Sequence, residues 1–158
     1  MSTIYIRQSL SNHDLKTIHR WLIQDYDFEH KTGLLYSFTN IVQHKEICWG
    51  LFYCDEIITI PRCIGFALLL EKNAALHINL FSIDSAFRKC GYGRNFILTV
   101  LDHVAFGGDI TLNSLPSVIH FWKKMGFVYD YDHKHGEVRM IQKAVSGTVP
   151  FYHKIPIK

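Results

Sequence analysis

Seven consecutive residues, Arg88-Lys89-Cys90-Gly91-Tyr92-Gly93-Arg94, place basic side chains and two glycines between an apolar strand pattern and a helical one. A strand that feeds a helix through a glycine-containing turn leaves several backbone N–H groups unpaired at the helix start. Those groups and the helix dipole favour an anion, above all a phosphate. Gly91 and Gly93 lack a Cβ, so a diphosphate can approach their backbone closely, and Arg88, Lys89 and Arg94 add positive charge beside it. The plainer alternative is a glycine-rich turn carrying solvated basic residues. The stretch is not a dinucleotide fingerprint, which needs G-x-G-x-x-G and a later acidic residue. Nor is it a P-loop, because no G-K-[ST] follows. Spacing alone therefore reaches a phosphate-binding helix start and stops there.

Other chemistries find less support. Cys48, Cys54, Cys63 and Cys90 form no C-x-x-C pair and sit among apolar neighbours, as reduced, buried thiols do. The ten histidines are scattered without H-x-x-x-H or H-E-x-x-H spacing, so no metal site is expected. A formal charge of +3 suits a partner with phosphates but gives no particular support to nucleic acid. No apolar run reaches the roughly 18 residues of a membrane-spanning helix. The first residues, M-S-T-I-Y-I-R-Q-S-L, are polar where a secretion signal needs an apolar block. The expected compartment is the cytoplasm, with no membrane partner.

The elements that must position the glycine turn are readable from periodicity. Thr3 to Arg7 alternates as a short strand, and Ser11 with Asp14 forms a capping pair before the stripe Leu15, Ile18, Leu22. Tyr26 to Lys45 is weakly patterned and predicts a short helix with loops. Ile47–Tyr53, Cys63–Leu70 and Leu76–Ile83 read as three strands separated by turns at Asp55-Glu56 and Lys72-Asn73. Phe96, Ile97, Val100, Leu101 and Val104 mark a helix that Gly107-Gly108 is expected to end. Ile110 and Leu112 lie on a fifth strand, and Pro116 opens a helix stopped by Gly126. Phe127–Tyr131 and Val138–Gln142 complete a hairpin around His135-Gly136. The expected class is a mixed α/β (α+β) domain over residues 1–145, followed by an extended or irregular tail over 146–158.

R-K-C-G-Y-G after a strand and before an amphipathic helix resembles the R/Q-x-x-G-x-G/A acyl-CoA signature of the GNAT N-acetyltransferase superfamily. F-W-K-K-M-G-F, from Phe121 to Phe127, resembles that family's later helix ending in G-F, and the order of elements agrees from residue 3 to about residue 143. The resemblance implies a central mixed sheet of about six to seven strands, splayed between the fourth and fifth and flanked by about four helices. It implies acetyl-CoA as co-substrate, with Arg88, Lys89, Cys90, Gly91, Tyr92, Gly93 and Arg94 around the pyrophosphate. Phe81, Ser82 and Ile83 would then pair with the pantetheine arm.

His77 stands, by the same resemblance, where GNAT-type histone acetyltransferases carry a catalytic glutamate, and Asn79 follows two residues later. Strand alternation is expected to put His77, Asn79, Phe81 and Ile83 on one face. An imidazole suits removal of a proton from an amine. Glu71 is the reserve base. Trp122 stands where many members carry a tyrosine acid, and indole cannot serve as that acid, so packing near the cofactor is its expected role. The acceptor is expected to be a small-molecule or peptide amine, with Tyr26 and Asn79 as candidate contacts, on a monomer or homodimer. Two alternatives stay open: a degenerate domain that senses or scaffolds acyl-CoA without turnover, and a toxin-type enzyme acting on aminoacyl-tRNA.

Overall fold

The computed structural model describes residues 2–57, 60–134, 137–144 and 155–157. The expected turn at His135-Gly136 and most of the tail lie outside them. Seven strands form one sheet: β1 (Thr3–Gln8), β2 (Trp49–Cys54), β3 (Arg62–Lys72), β4 (Ala75–Ile83), β5 (Ile110–Ser114), β6 (Val128–Lys134) and β7 (Glu137–Gln142). Their order is β1-β2-β3-β4-β5-β7-β6. Every pairing is antiparallel except that of β4 with β5.

Five α-helices are found among the described residues: α1 (Asn12–Ile23), α2 (Phe28–Tyr36), α3 (Phe38–Gln43), α4 (Tyr92–Val104) and α5 (Ile119–Lys123). Ser11 and Asp14 make the expected reciprocal cap of α1, and Asp14 also accepts from Arg7 at 2.7 Å. The weak segment after α1 folds into two short helices rather than one. Short helices gain little from propensity alone, and these are held by Leu34 and Ile41 buried against the sheet.

Two apolar clusters lie on opposite faces of the sheet. One packs α4 and α5, through Phe96, Ile97, Val100 and Trp122, against Ile64, Ala67, Ile78, Ile83, Leu112 and Met140. The other packs α1, α2 and α3 against Tyr5, Phe52, Phe66, Leu68, Leu70 and Leu80. β3 supplies both clusters with alternate residues, which explains its near-continuous apolar run. Among the described residues the second cluster contains none from β5, β6 or β7, so α1–α3 pack their apolar faces on the β1–β4 half of the sheet.

The described end of the tail returns to the domain. Ile155 is buried beside α4, its N–H donates to Thr99 Oγ1 at 3.3 Å, and Ile157 bridges Ile6 in parallel on the outer edge of β1. The α4 terminus corrects one expectation. The helix stops at Val104, and Ala105 takes the left-handed cap at φ 52° instead of Gly107-Gly108. An alanine there carries a Cβ penalty that glycine avoids. Ala105→Gly should therefore raise unfolding free energy by about 0.5–1 kcal/mol, measured by urea denaturation, the gain being net of glycine's backbone entropy.

Candidate active site

β4 and β5 pair through only three residue pairs, Leu76 with Ile110, His77 with Thr111 and Ile78 with Leu112. Beyond Ile78 the strands part, and β4 continues to Ile83 alongside β3 alone. The Asp84 N–H donates to the Ile64 carbonyl on β3 at 2.8 Å, which sets the parity of this stretch. Backbone groups alternate along a strand, so Leu80 and Ser82 turn theirs toward β3 and Phe81 and Ile83 turn theirs into the gap. Arg88 Nε occupies the Ile83 carbonyl at 2.9 Å. The Phe81 N–H and C=O are left facing the gap, in the stretch that the family resemblance gives to the pantetheine arm.

At the gap's open end stands the glycine turn. Gly91 caps α4 with φ 83°, and Lys89 is also left-handed at φ 63°. Among the described residues, none of the backbone N–H groups from Lys89 to Arg94 has an acceptor. Successive N–H groups in such a turn form an anion-binding concavity at the positive end of the helix dipole. A Cβ on Gly91 would meet nothing within 4 Å, so the space in front of the turn is open. Lys89, Cys90 and Arg94 are exposed around it.

Arg88 does something different. Its guanidinium makes a two-pronged bond to Asp25, 3.0 Å to Oδ1 and 2.6 Å to Oδ2, and the Asp25 side chain is completely buried. Asp25 also accepts from the Asp27 N–H at 2.9 Å. Burial alone would raise the Asp25 pKa, but the Arg88 bond, the Asp27 N–H and the nearby positive charge lower it below 3.8. His30, on α2, bonds Ser82 Oγ through Nε2 at 2.7 Å and lies 4.0 Å from Asp25. Both contacts use the same ring nitrogen, so Ser82, His30 and Asp25 are not arranged as a nucleophilic triad. Burial, then the Arg88 charge, depresses the His30 pKa. Tyr26 places its ring 5.7 Å from the Arg88 guanidinium and is 70% exposed. Asp25 and His30 were not legible in the sequence. Their partners lie 63 and 52 residues away, and no local pattern announces such a pairing.

The expected common face of β4 does not form. Leu68 opposes Leu80 and Leu69 opposes Ile78, so Asn79 is an extra residue, a β-bulge that reverses the alternation. Ile78, Phe81 and Ile83 face α4 and α5, whereas His77, paired with Leu70, faces the α1–α3 side. His77 Nδ1 bonds Thr111 Oγ1 at 2.8 Å, at the closed end of the gap. Burial, followed by the charges of Lys72 and Arg139, depresses its pKa below 6.5. Glu71 is exposed at the β3–β4 turn and, by alternation from Leu70, lies on the face opposite His77. Trp122 is buried, with ring centroids 5.4 Å from Phe81, 4.9 Å from Phe121 and 5.5 Å from Phe127. It packs behind the gap.

Cys48 and Cys63 are buried, and burial pushes the Cys48 thiol up to about 12. Among the described residues no group of three or more His, Cys, Asp and Glu could hold a metal ion, and no helix is long and apolar enough to cross a membrane.

A mixed sheet that opens between its fourth and fifth strands, next to a helix start with unpaired N–H groups, is the GNAT acyltransferase architecture. The sequence profile of the Acetyltransferase (GNAT) family matches residues 15–127, well over half of the chain, and the protein belongs to that family. Comparison with curated proteins gave no match. Among solved structures, the chain is similar to the PaiA N-acetyltransferase of Thermoplasma acidophilum in complex with coenzyme A. Identity is 17%, TM-score 0.66, and the match covers 89% of this chain and 99% of that one. The ribosomal-protein-S18-alanine N-acetyltransferase of Escherichia coli matches at 15% identity and TM-score 0.63, over 97% of this chain and 100% of that one. PH1933 of Pyrococcus horikoshii OT3 matches at 18% identity and TM-score 0.68, over 90% and 98%. At these identities the likeness concerns the fold.

Asp25→Asn leaves the Arg88 charge without its buried counterion and should cost about 3 kcal/mol of stability. Because the Asp25 pKa is lowered on folding, its contribution is present above 3.8 and disappears as pH falls through the depressed value. Chemical denaturation across pH 2–6, roughly the span of a carboxylate's titration, should show acid destabilisation that the Asn variant lacks in part.

Proposed function

We propose that the protein transfers the acetyl group of acetyl-CoA to a primary amine by direct attack in a ternary complex. The observation that carries this reading is the run of acceptor-less N–H groups from Lys89 to Arg94 at the mouth of the gap between β4 and β5. The two linked phosphates of coenzyme A bind those amides, and Lys89 and Arg94 add charge from the surface. The pantetheine arm enters the gap and takes up the exposed Phe81 backbone. Arg88 acts as a positioning residue: paired with Asp25, it fixes the turn and caps the Ile83 carbonyl rather than gripping phosphate.

His77 is the general base. With Nδ1–H donating to Thr111, Nε2 keeps its lone pair and takes a proton from the substrate ammonium. The depressed pKa keeps the imidazole neutral, and thus able to accept, at physiological pH. The amine nitrogen then forms a bond to the thioester carbonyl carbon, and the tetrahedral intermediate collapses with loss of the C–S bond. The nitrogen gives up its second proton to water, and the departing thiolate gains one from water, since Trp122 cannot provide it. Holding both reactants in one gap supplies the orientation that the direct reaction needs. Glu71, across the sheet and exposed, takes no part.

Calorimetry with coenzyme A tests the cofactor site. Gly91→Ala, strained at φ 83°, should weaken binding about tenfold, and a wild-type protein that binds no coenzyme A would overturn the proposal. Thiol release across pH tests the base. The acid limb of kcat/KM should lie below 6.5, and His77→Gln should lower the rate by about 10²-fold and abolish that limb.

A further inference from the structure

We propose that the acceptor is a small amine bearing a carboxylate close to the amino group, and that Arg139 is the residue that binds the carboxylate. This rests on the acetyltransferase reading. His77 faces the side of the sheet turned away from α4, so an amine that gives it a proton approaches from that side. There, among the described residues, the apolar cluster under α1–α3 reaches no further than β4; on β5 and β7, Asn113 is exposed and Arg139 half-buried, whereas Thr111 and Ile141 are buried.

Those residues follow from alternation. Leu112, Met140 and Val138 face α4 and α5, so Thr111, Asn113, Arg139 and Ile141 turn the other way. Asn113 stands directly opposite Arg139, and Thr111 bonds His77. Strand spacing puts the Cα atoms of His77 and Arg139 roughly 12 Å apart, two strands across and two residues along. The Arg139 side chain is tied to Asp130 on β6, the neighbour of β7 away from β4, so the span between guanidinium and imidazole leaves room for a small molecule with its amine at the imidazole and its anionic end at the guanidinium.

Arg139 is built to offer a particular edge. Its Nε donates to Asp130 Oδ2 at 2.8 Å, which fixes the guanidinium plane, and among the described residues its two terminal nitrogens have no acceptor. The side chain is 39% exposed. A planar pair of N–H donors matches a carboxylate in a two-pronged bond. The charges agree. Besides burial, His77 feels Lys72 and Arg139, and among the described residues no acidic group figures beside them. Asp130 answers part of the Arg139 charge, and the remaining positive field with Lys72 favours an acceptor with an anionic group over a polyamine.

The test compares acetyl transfer to matched acceptors: an amino acid, its carboxamide, and the amine left when the carboxylate is removed. Wild-type protein should favour the carboxylate member by about 100-fold in kcat/KM. Arg139→Gln should narrow that ratio to within about threefold, Arg139→Lys should restore part of it, and coenzyme A binding by calorimetry should match wild type in both. Equal use of all three acceptors by wild type, a preference for polyamines, or an Arg139→Gln ratio unchanged from wild type overturns this inference alone. Coenzyme A binding with no transfer to any amine overturns the acetyltransferase reading and this inference with it.

Discussion

The structure turns on a hydrogen-bond ladder that stops early. β4 runs nine residues, but β5 accompanies it for only three pairs. A strand that loses its neighbour inside a protein has polar backbone groups that water or a ligand must satisfy. Several features keep the strands apart. The bulge at Asn79 adds local twist where pairing ends, and β5 gives way to Pro116 soon after Ser114. The Phe81 ring stacks against Phe96 and Phe121 and meets the edge of Trp122, filling the interior behind the opening. The gap is therefore held open by packed aromatic rings and a register shift.

The cation nearest the end of β4 is spent on architecture. Arg88 has the composition of a phosphate ligand, yet its charge is answered by Asp25 and its Nε by a main-chain carbonyl. A buried ion pair contributes little net stability, because desolvation offsets the attraction, but it penalises any arrangement that separates the charges. Here the penalty falls on movement between the α1–α2 connection and the glycine turn. His30 adds a second tie from α2 to Ser82. The segment expected to contact the acceptor is thus fastened to the one expected to hold the cofactor.

Much of this was legible in the sequence. Ser11 and Asp14 announce a helix start because the cap is local, and the apolar run from Cys63 to Leu70 announces a doubly buried strand because both its faces meet a core. The glycine turn and both family motifs were visible for the same reason, being short and contiguous. The facing of His77 relative to Phe81 and Ile83 was not. One inserted residue reverses a strand's alternation, and nothing in L-H-I-N-L-F-S-I marks Asn79 as the insertion. The cap of α4 misled in the other direction. Two glycines advertised an end that the chain had already made at an alanine.

The bulge and the half-covered sheet together decide how chemistry is divided between the two faces. α4 and α5 fill one face completely, so anything in the gap meets protein on that side. On the other, the described apolar contacts of α1–α3 end at β4, where the half-buried His77 imidazole is tied to a threonine hydroxyl. Without the bulge, His77 would keep its facing but Phe81 and Ile83 would turn to the α1–α3 side, and their backbone groups would turn from the gap to β3. In the proposed reaction, one residue thus lets a single strand serve the cofactor with its edge and the acceptor with its face. Burial and then the charges of Lys72 and Arg139 disfavour protonation of His77, and in the proposed acceptor reading the same charges draw an anionic molecule toward it. A cationic acceptor would have to work against the same field that keeps the imidazole unprotonated.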